Sequence, residues 1–377
     1  MQDHFNMKPS NPTHKLAGIL EKADREEILA REEIAFLLRL KQRSQINDLF
    51  QAARVLRHRY FGENVFLYGF IYISTYCRNN CNFCYYRRAN SHSVRYRREA
   101  SEIIEAASQL AESGVHLIDL TLGEDPRYFH DSQLGYSQLL QLVNAVKKAT
   151  ELPIMISPGV VPDFMFSELV KAGASWYACY QETHNPVLFK RLRPRQSYAA
   201  RLAKKQLAHK LGLLIEEGLL CGVGESVADV VESIEVMRFL EASQVRAMSF
   251  VPQPGTPMQS LKASDDLQEL LTLAVLRLVF PDRLVPASLD VAGLAGLQRR
   301  LAAGANVVTS LVPPGFGLAG VAQSSLDIAE ARRTMASIRL ELEKLDLRAA
   351  SAGNYLDWIK NRRRNIMGDS SKEKSAC

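Results

Sequence analysis

From residue 65 to residue 309, short apolar segments alternate with amphipathic ones, and this alternation constrains the fold more than any other feature. The first apolar run, 65–75, is rich in β-branched and aromatic residues and reads as a strand. Further strands are expected at 116–122, 153–157, 175–180, 213–220, 246–250, 284–288 and 306–309, which makes eight. Helical spacing lies between them at 101–113, 138–149, 166–172, 201–212, 230–242, 267–279 and 294–302, with Gly114 and Gly173 as stop signals. Alternation of this kind requires parallel strands joined by helical crossovers. Eight such units predict an α/β fold, a (β/α)8 TIM-type barrel. In such a barrel, chemistry sits on the loops after the strands.

The flanks read differently. Residues 1 to about 20 are polar and expected to be an irregular arm. Asp24-Arg-Glu-Glu27 has the form of a capping box, and helical spacing follows through Leu40 and again over 46–60, closed by Gly62. Residues 318–348 are expected to form a helical cap. The tail from Asn354 is basic and polar and expected to be loose. The expected division is 1–62 for the arm and N-terminal helices, 63–315 for the barrel, and 316–377 for the cap and tail.

The loop after the first strand carries Cys77-Arg-Asn-Asn-Cys81-Asn-Phe-Cys84, a C-x3-C-x2-C spacing with an aromatic before the third thiol. Three thiolates on one short loop can hold three corners of an iron–sulfur cube, leaving the fourth iron open to a small molecule. The competing readings are a structural zinc site or three unrelated core cysteines. Zinc takes a fourth Cys or His, usually from a second pair. Cys179, Cys221 and Cys377 form no such pair.

Composition narrows the classes. With 377 residues and 47% hydrophobic content, the chain can bury one large barrel or two modest domains. No apolar run approaches the roughly 18 residues that span a bilayer. The start, Met1-Gln-Asp-His-Phe-Asn, has no apolar signal core, so a cytoplasmic location and no membrane partner are expected. The net charge of +6 gathers at Arg87-Arg88, at 95–98 and at Arg362-Arg363-Arg364. Acidic residues are interleaved with the basic ones, and the aromatic spacing of a nucleic-acid groove is absent. These runs are read as solvated surface and tail, and no nucleic-acid partner is expected.

Polar residues recur where the strands end. They are Asp119, Ser157, Tyr180 with Glu182, the Gly222-Val-Gly224 turn, Arg246, Ser288 with Asp290, and Thr309 with Ser310. Each alone could cap a turn or bond its own backbone. A charged group beside a barrel core is costly unless it is paired or bound to a ligand.

The cysteine motif resembles that of the radical S-adenosylmethionine (SAM) enzymes. Several further segments make the likeness specific: Ile73-Ser-Thr-Tyr-Cys77, Asp119-Leu-Thr-Leu-Gly-Glu-Asp-Pro126, Pro153-Ile-Met-Ile-Ser-Pro-Gly-Val160, Tyr180-Gln-Glu-Thr183, Val251-Pro-Gln-Pro-Gly-Thr-Pro257, Pro286-Ala-Ser-Leu-Asp290 and Gly304-Ala-Asn-Val-Val-Thr-Ser310. They resemble the biotin synthase and hydrogenase-maturase branch, and within it the methylornithine synthase family. The resemblance implies a [4Fe–4S] cluster on Cys77, Cys81 and Cys84, with SAM on the open iron. It implies an isomerase that turns L-lysine into (3R)-3-methyl-D-ornithine, the first step of pyrrolysine biosynthesis. An external one-electron reductant such as flavodoxin or ferredoxin is implied as a partner. Cofactor contacts are expected at Phe83, Tyr85, Ser157, Glu182, Arg201, Gly222 and Gly224, with Glu182 suited to the ribose hydroxyls and Arg201 to the cofactor carboxylate. Substrate contacts are implied at Asp119, Tyr180, Arg246, Ser288, Asp290, Thr309 and Ser310. The rigid fork of Arg246 suits a carboxylate, and Asp119 and Asp290 suit the two ammonium groups. The alternatives are a maturase-like enzyme acting on another amino-acid-derived substrate and a non-catalytic iron–sulfur or zinc protein that binds RNA.

Overall fold

The computed structural model describes residues 12–129, 132–263, 265–313 and 333–373. Eight parallel strands run β1 Asn64–Ser74, β2 Leu117–Leu122, β3 Ile154–Ser157, β4 Ala174–Ala178, β5 Leu214–Cys221, β6 Gln244–Ser249, β7 Pro286–Ser288 and β8 Val307–Leu311. Their order in the sheet is β6-β5-β4-β3-β2-β1-β8-β7. A parallel bridge between Gln244 and Leu284 joins the two ends, so the sheet is a nearly closed barrel. Each expected strand is present, with ends shifted by a few residues. Helices Pro126–Phe129 and Pro186–Leu192 are additions that the spacing did not reveal.

Burial on both faces makes the strands continuous apolar runs. The period of two still decides which residue faces where. In β1, Val65, Leu67, Ile71 and Ile73 pack outward in the main core with the surrounding helices. Phe66 and Tyr68 pack inward at the barrel bottom, and Phe70 and Tyr72 inward at the top. The same parity sends Asp119, Glu216 and Arg246 inside.

The flanks depart from expectation. Pro12–Asp24 is a helix, and residues 1–11 lie outside the described segments. Pro12 opens it, as proline does at a first helical position, and Leu16, Ile19 and Ala23 bury one face at helical spacing. Asp24-Arg-Glu-Glu27 therefore ends a helix and does not start one: Glu26 takes a positive φ of 58° there. The next helix, Arg31–Leu37, is opened instead by Glu33, whose Oε2 accepts from the Ala30 amide at 2.6 Å. Of the expected cap, the helix Met335–Glu343 is described, and 318–332 lies outside the described residues.

The tail is not loose. Residues 352–373 form one helix, and its first turns close the bottom of the barrel. Tyr355 Oη lies 2.7 Å from Tyr68 Oη, and the Trp358 ring lies parallel to Trp176 at 5.9 Å between centroids. Arg362 donates to Ser243 Oγ at 3.1 Å and to the Glu241 carbonyl at 2.8 Å, and Arg363 donates to the Ser175 carbonyl at 3.3 Å. Two of the three tail arginines therefore cap backbone at the barrel floor, where the sequence suggested solvated charge. Among the described residues no helix is long and apolar enough to cross a membrane.

Candidate active site

The top of the barrel holds one large cavity, walled by both the cysteine loop and the inward residues of the strands. Of the residues singled out from sequence, Cys77, Cys81, Phe83, Cys84, Asp119, Ser157, Tyr180, Glu182, Arg201, Arg246, Asp290, Thr309 and Ser310 line it. Tyr85, Gly222, Gly224 and Ser288 are not on its wall. The Tyr85 hydroxyl donates to the His92 carbonyl at 2.7 Å. The Gly222 amide is taken up by Glu225, at 2.7 Å, and a side chain at Gly224 would strike Arg191. That turn is closed by its own neighbours, which removes the reason for placing a ligand against it. Ser288 sits behind the wall and accepts from the Asp290 amide at 3.2 Å.

The cysteine loop is held from behind by cations. Arg95 donates to the carbonyls of Thr75, Tyr86, Arg87 and Asn90. Arg97 makes a two-pronged contact with Asp125 at 2.8 Å, and Asp125 also accepts from Ser74 Oγ. Part of the basic run at 95–98 is thus structural. Gly123 lets the loop after β2 come close: a Cβ there would lie 2.6 Å from the Tyr76 carbonyl and 2.8 Å from Cys77 Cβ. Burial pushes the thiols of Cys77 and Cys84 up from the ordinary value. Thiols in such a place are stabilised as thiolates by bonding to metal.

Fit to a cluster can be judged from the donor set. The three thiols of the loop and the buried Cys179 line one cavity, yet among the described residues no three His, Cys, Asp or Glu gather as they would around a metal ion. Three thiols in a C-x3-C-x2-C loop are the donor set of an iron–sulfur cube with one open corner. Cys81 Sγ also accepts from Gln196 Nε2 at 3.0 Å and from Arg193 at 3.3 Å.

Deeper in the barrel, Arg246 donates through Nε to Glu216 Oε1 at 2.7 Å, and Tyr180 Oη donates to Glu216 Oε2 at 2.8 Å. Asp119 accepts from Thr121 Oγ1 at 2.9 Å and from Ser157 Oγ at 3.4 Å. Burial, and then the nearby Glu216 carboxylate, push the Asp119 carboxyl up to about 7. Asp290 differs: Arg333 donates to its Oδ1 at 2.8 Å and Ser310 to its Oδ2 at 2.8 Å. Among the described residues Thr309 Oγ1 is buried without a partner, an orphan polar atom on the cavity wall. Glu182 and Ser310 take positive φ angles of 69° and 70°, strained values for such residues.

Glu182 meets Arg193 NH2 at 2.8 Å, and burial pushes its carboxyl up. Arg201 donates to the Tyr180 carbonyl at 2.8 Å and lies 3.7 Å from Glu124. Glu124 in turn binds Arg78 at 2.8 Å and accepts from the Val160 amide at 3.1 Å, against Gly159, whose φ is +74°.

Sequence reasoning missed Glu216, Arg333, Glu124, Arg193 and Gln196. Glu216 had a signal. Two adjacent acids inside Leu213-Leu-Ile-Glu-Glu-Gly-Leu-Leu220 demand partners, one on each face of the strand. Glu216 points in to Arg246, and Glu217 points out to a buried Lys205 and His184.

Residues 71–237 match the model of the Radical SAM superfamily. The chain is 40% identical over 327 residues to the 3-methylornithine synthase of Methanosarcina acetivorans, an alignment covering 87% of this chain and 92% of that protein. This chain belongs to the radical SAM superfamily. Its place there is in the 3-methylornithine synthase family. A solved methylornithine synthase structure superposes with a TM-score of 0.85 at 39% identity, covering 90% of this chain and 99% of that one. The hydrogenase maturase subunit HydE of Thermotoga maritima is more distant, at 32% identity over 293 residues, 77% of this chain and 82% of that protein. The cofactors of the family are a [4Fe–4S] cluster and SAM, and the three-thiol loop of this chain fits them.

Proposed function

We propose that this chain is a 3-methylornithine synthase, an isomerase that rearranges L-lysine to (3R)-3-methyl-D-ornithine in pyrrolysine biosynthesis. The observation that carries the reading is the charge pattern beneath the cysteine loop, in a chain 40% identical to such a synthase. Bound together, cluster and SAM supply one-electron cleavage of the cofactor and a hydrogen-abstracting radical.

The residues of the chain do the rest. Cys77, Cys81 and Cys84 hold the cluster. With the cofactor bound, Glu182 would take the ribose hydroxyls and Arg201 the cofactor carboxylate, with Ser157 and Phe83 as further cofactor contacts. Arg246, with Nε tied to Glu216, presents its remaining edge to the substrate carboxylate. Asp119 takes one ammonium. It is the better placed of the two for this, because among the described residues no cation pairs with it directly, and a positive charge beside it would bring its carboxyl back down. Asp290, already matched by Arg333, takes the other ammonium together with Ser310, Thr309 and, from behind, Ser288. Tyr180 holds Glu216 in place. Counting Arg246 and Arg333 against Asp119, Glu216 and Asp290 leaves one negative charge, which balances the single net positive charge of lysine. A walled site keeps water and stray C–H bonds away from the reactive centre.

A one-electron donor is required, and a small redox protein such as flavodoxin or ferredoxin is the partner we propose. The test is anaerobic incubation of the reconstituted protein with SAM, dithionite and L-lysine, followed by chromatography for a product of the same mass. Unchanged lysine, with turnover of a sulfur-containing amino acid instead, would replace this reading with a maturase-like one.

A further inference from the structure

Side-chain donors from outside the cysteine loop reach Cys81. Gln196 Nε2 lies 3.0 Å from its sulfur and Arg193 NH1 3.3 Å. Cys77 and Cys84 meet backbone amides, those of Asn79 and Tyr86. The Gln196 amide has a definite orientation. Its Oε1 accepts from Arg201 NH1 at 3.3 Å, and a guanidinium can only donate, so the NH2 group faces the sulfur. Arg193 is held as firmly. Its other terminal nitrogen bonds Glu182 Oε1 at 2.8 Å, and the guanidinium lies 5.1 Å above the Phe83 ring. Both donors are therefore braced by residues of the cofactor pocket.

We propose that Gln196 and Arg193 set the reduction potential of the cluster by donating to the sulfur of Cys81. The inference rests on the cluster assignment and not on the identity of the substrate. One electron, taken from an external reductant, converts the oxidised cluster to its reduced form, and part of the added charge falls on the thiolate sulfurs. Hydrogen bonds and a cation at sulfur stabilise that more negative form, so they raise the potential. The sulfur lies away from water, since Cys81 is 6% exposed and Arg193 8%, while Gln196 is half-buried at the edge of the contact. Their effect is to ease electron uptake at one corner of the cube, beside the pocket where the electron is spent.

The test uses Gln196→Leu, which removes the donor, and Gln196→Glu, which puts a carboxylate at the sulfur. Each full-length variant is loaded anaerobically with iron and sulfide. Each is then titrated with dithionite in the presence of mediators while the electron paramagnetic resonance of the reduced cluster is followed. Iron and sulfide per chain are measured alongside. The midpoint should fall in the order parent, Gln196→Leu, Gln196→Glu. The first step should be roughly tenfold in the ratio of reduced to oxidised cluster at fixed potential, or about 59 mV for a one-electron couple. A parent-like midpoint in either variant with full iron content overturns the proposal. Failure of both to load four irons also overturns it, because Gln196 would then serve assembly and not potential. A purely structural role would leave the midpoint where it was. Neither lysine nor product enters the measurement, so it stands apart from the test of the isomerase reading.

Discussion

Arg246→Ala separates the substrate role of the guanidinium from its role in the fold. The side chain does two things at once. It neutralises Glu216 at 2.7 Å, and it leaves an edge facing the cavity. Truncation alone strands the buried Glu216 carboxylate close to Asp119. Breaking a buried pair by removing one partner costs about 3–5 kcal/mol. The second substitution, Glu216→Gln, removes the stranded charge. The double variant Glu216→Gln/Arg246→Ala should recover the part of that loss that comes from the stranded charge, since no unpaired carboxylate remains. Lysine turnover should behave differently. An unpaired substrate carboxylate in a dry site costs roughly 2–5 kcal/mol, which is about 30- to 5,000-fold in rate. The double variant should not recover it. The assay is therefore a double-mutant cycle read twice, by urea unfolding without ligand and by anaerobic turnover. Parent-like stability of Arg246→Ala would refute the buried-pair argument. Near-normal isomerisation by either variant would refute the placement of the substrate carboxylate.

Asp119→Asn should change stability in a pH-dependent way. A carboxyl raised from 3.8 to about 7 by folding costs little at pH 4, and the cost grows to roughly 4 kcal/mol above pH 7. In the absence of ligand the variant should therefore be more stable than the parent at pH 8 and about equal at pH 4, while its lysine KM rises. Equal stability differences at the two pH values would rule this out. In the parent, the KM for lysine should rise as the pH falls below about 7, because the protonated carboxyl cannot pair with an ammonium. Cys81→Ala should abolish reductive cleavage of SAM, measured as 5′-deoxyadenosine, and retained cleavage would count against the cluster assignment. Tyr355→Ala should cost roughly 3–5 kcal/mol in thermal or urea unfolding, as for a large buried aromatic. An unchanged midpoint would mean that the terminal helix does not hold the barrel floor.

The eight strands, their parallel sense and the cysteine loop were legible in the sequence because each rests on local information. Period, glycine stops and thiol spacing all act within a dozen residues. Recurrence of polar residues on the apolar strands even marked Asp119 and Arg246 as site candidates. The site's partners were not legible in this way. Glu216 meets Arg246 across 30 residues, Asp290 meets Arg333 across 43, and Cys81 meets Arg193 across 112. Tyr68 meets Tyr355 across 287, so a tail that is basic and polar by composition becomes the floor of the barrel. Only strand order, register and the return of the chain beneath the sheet decide such meetings. Those meetings also reset the chemistry. Arg333 satisfies Asp290, and the uncompensated charge is left on Asp119. Composition counts the charges in the chain, but a buried charge takes its pKa and its role from whichever group the tertiary fold sets a few ångströms away.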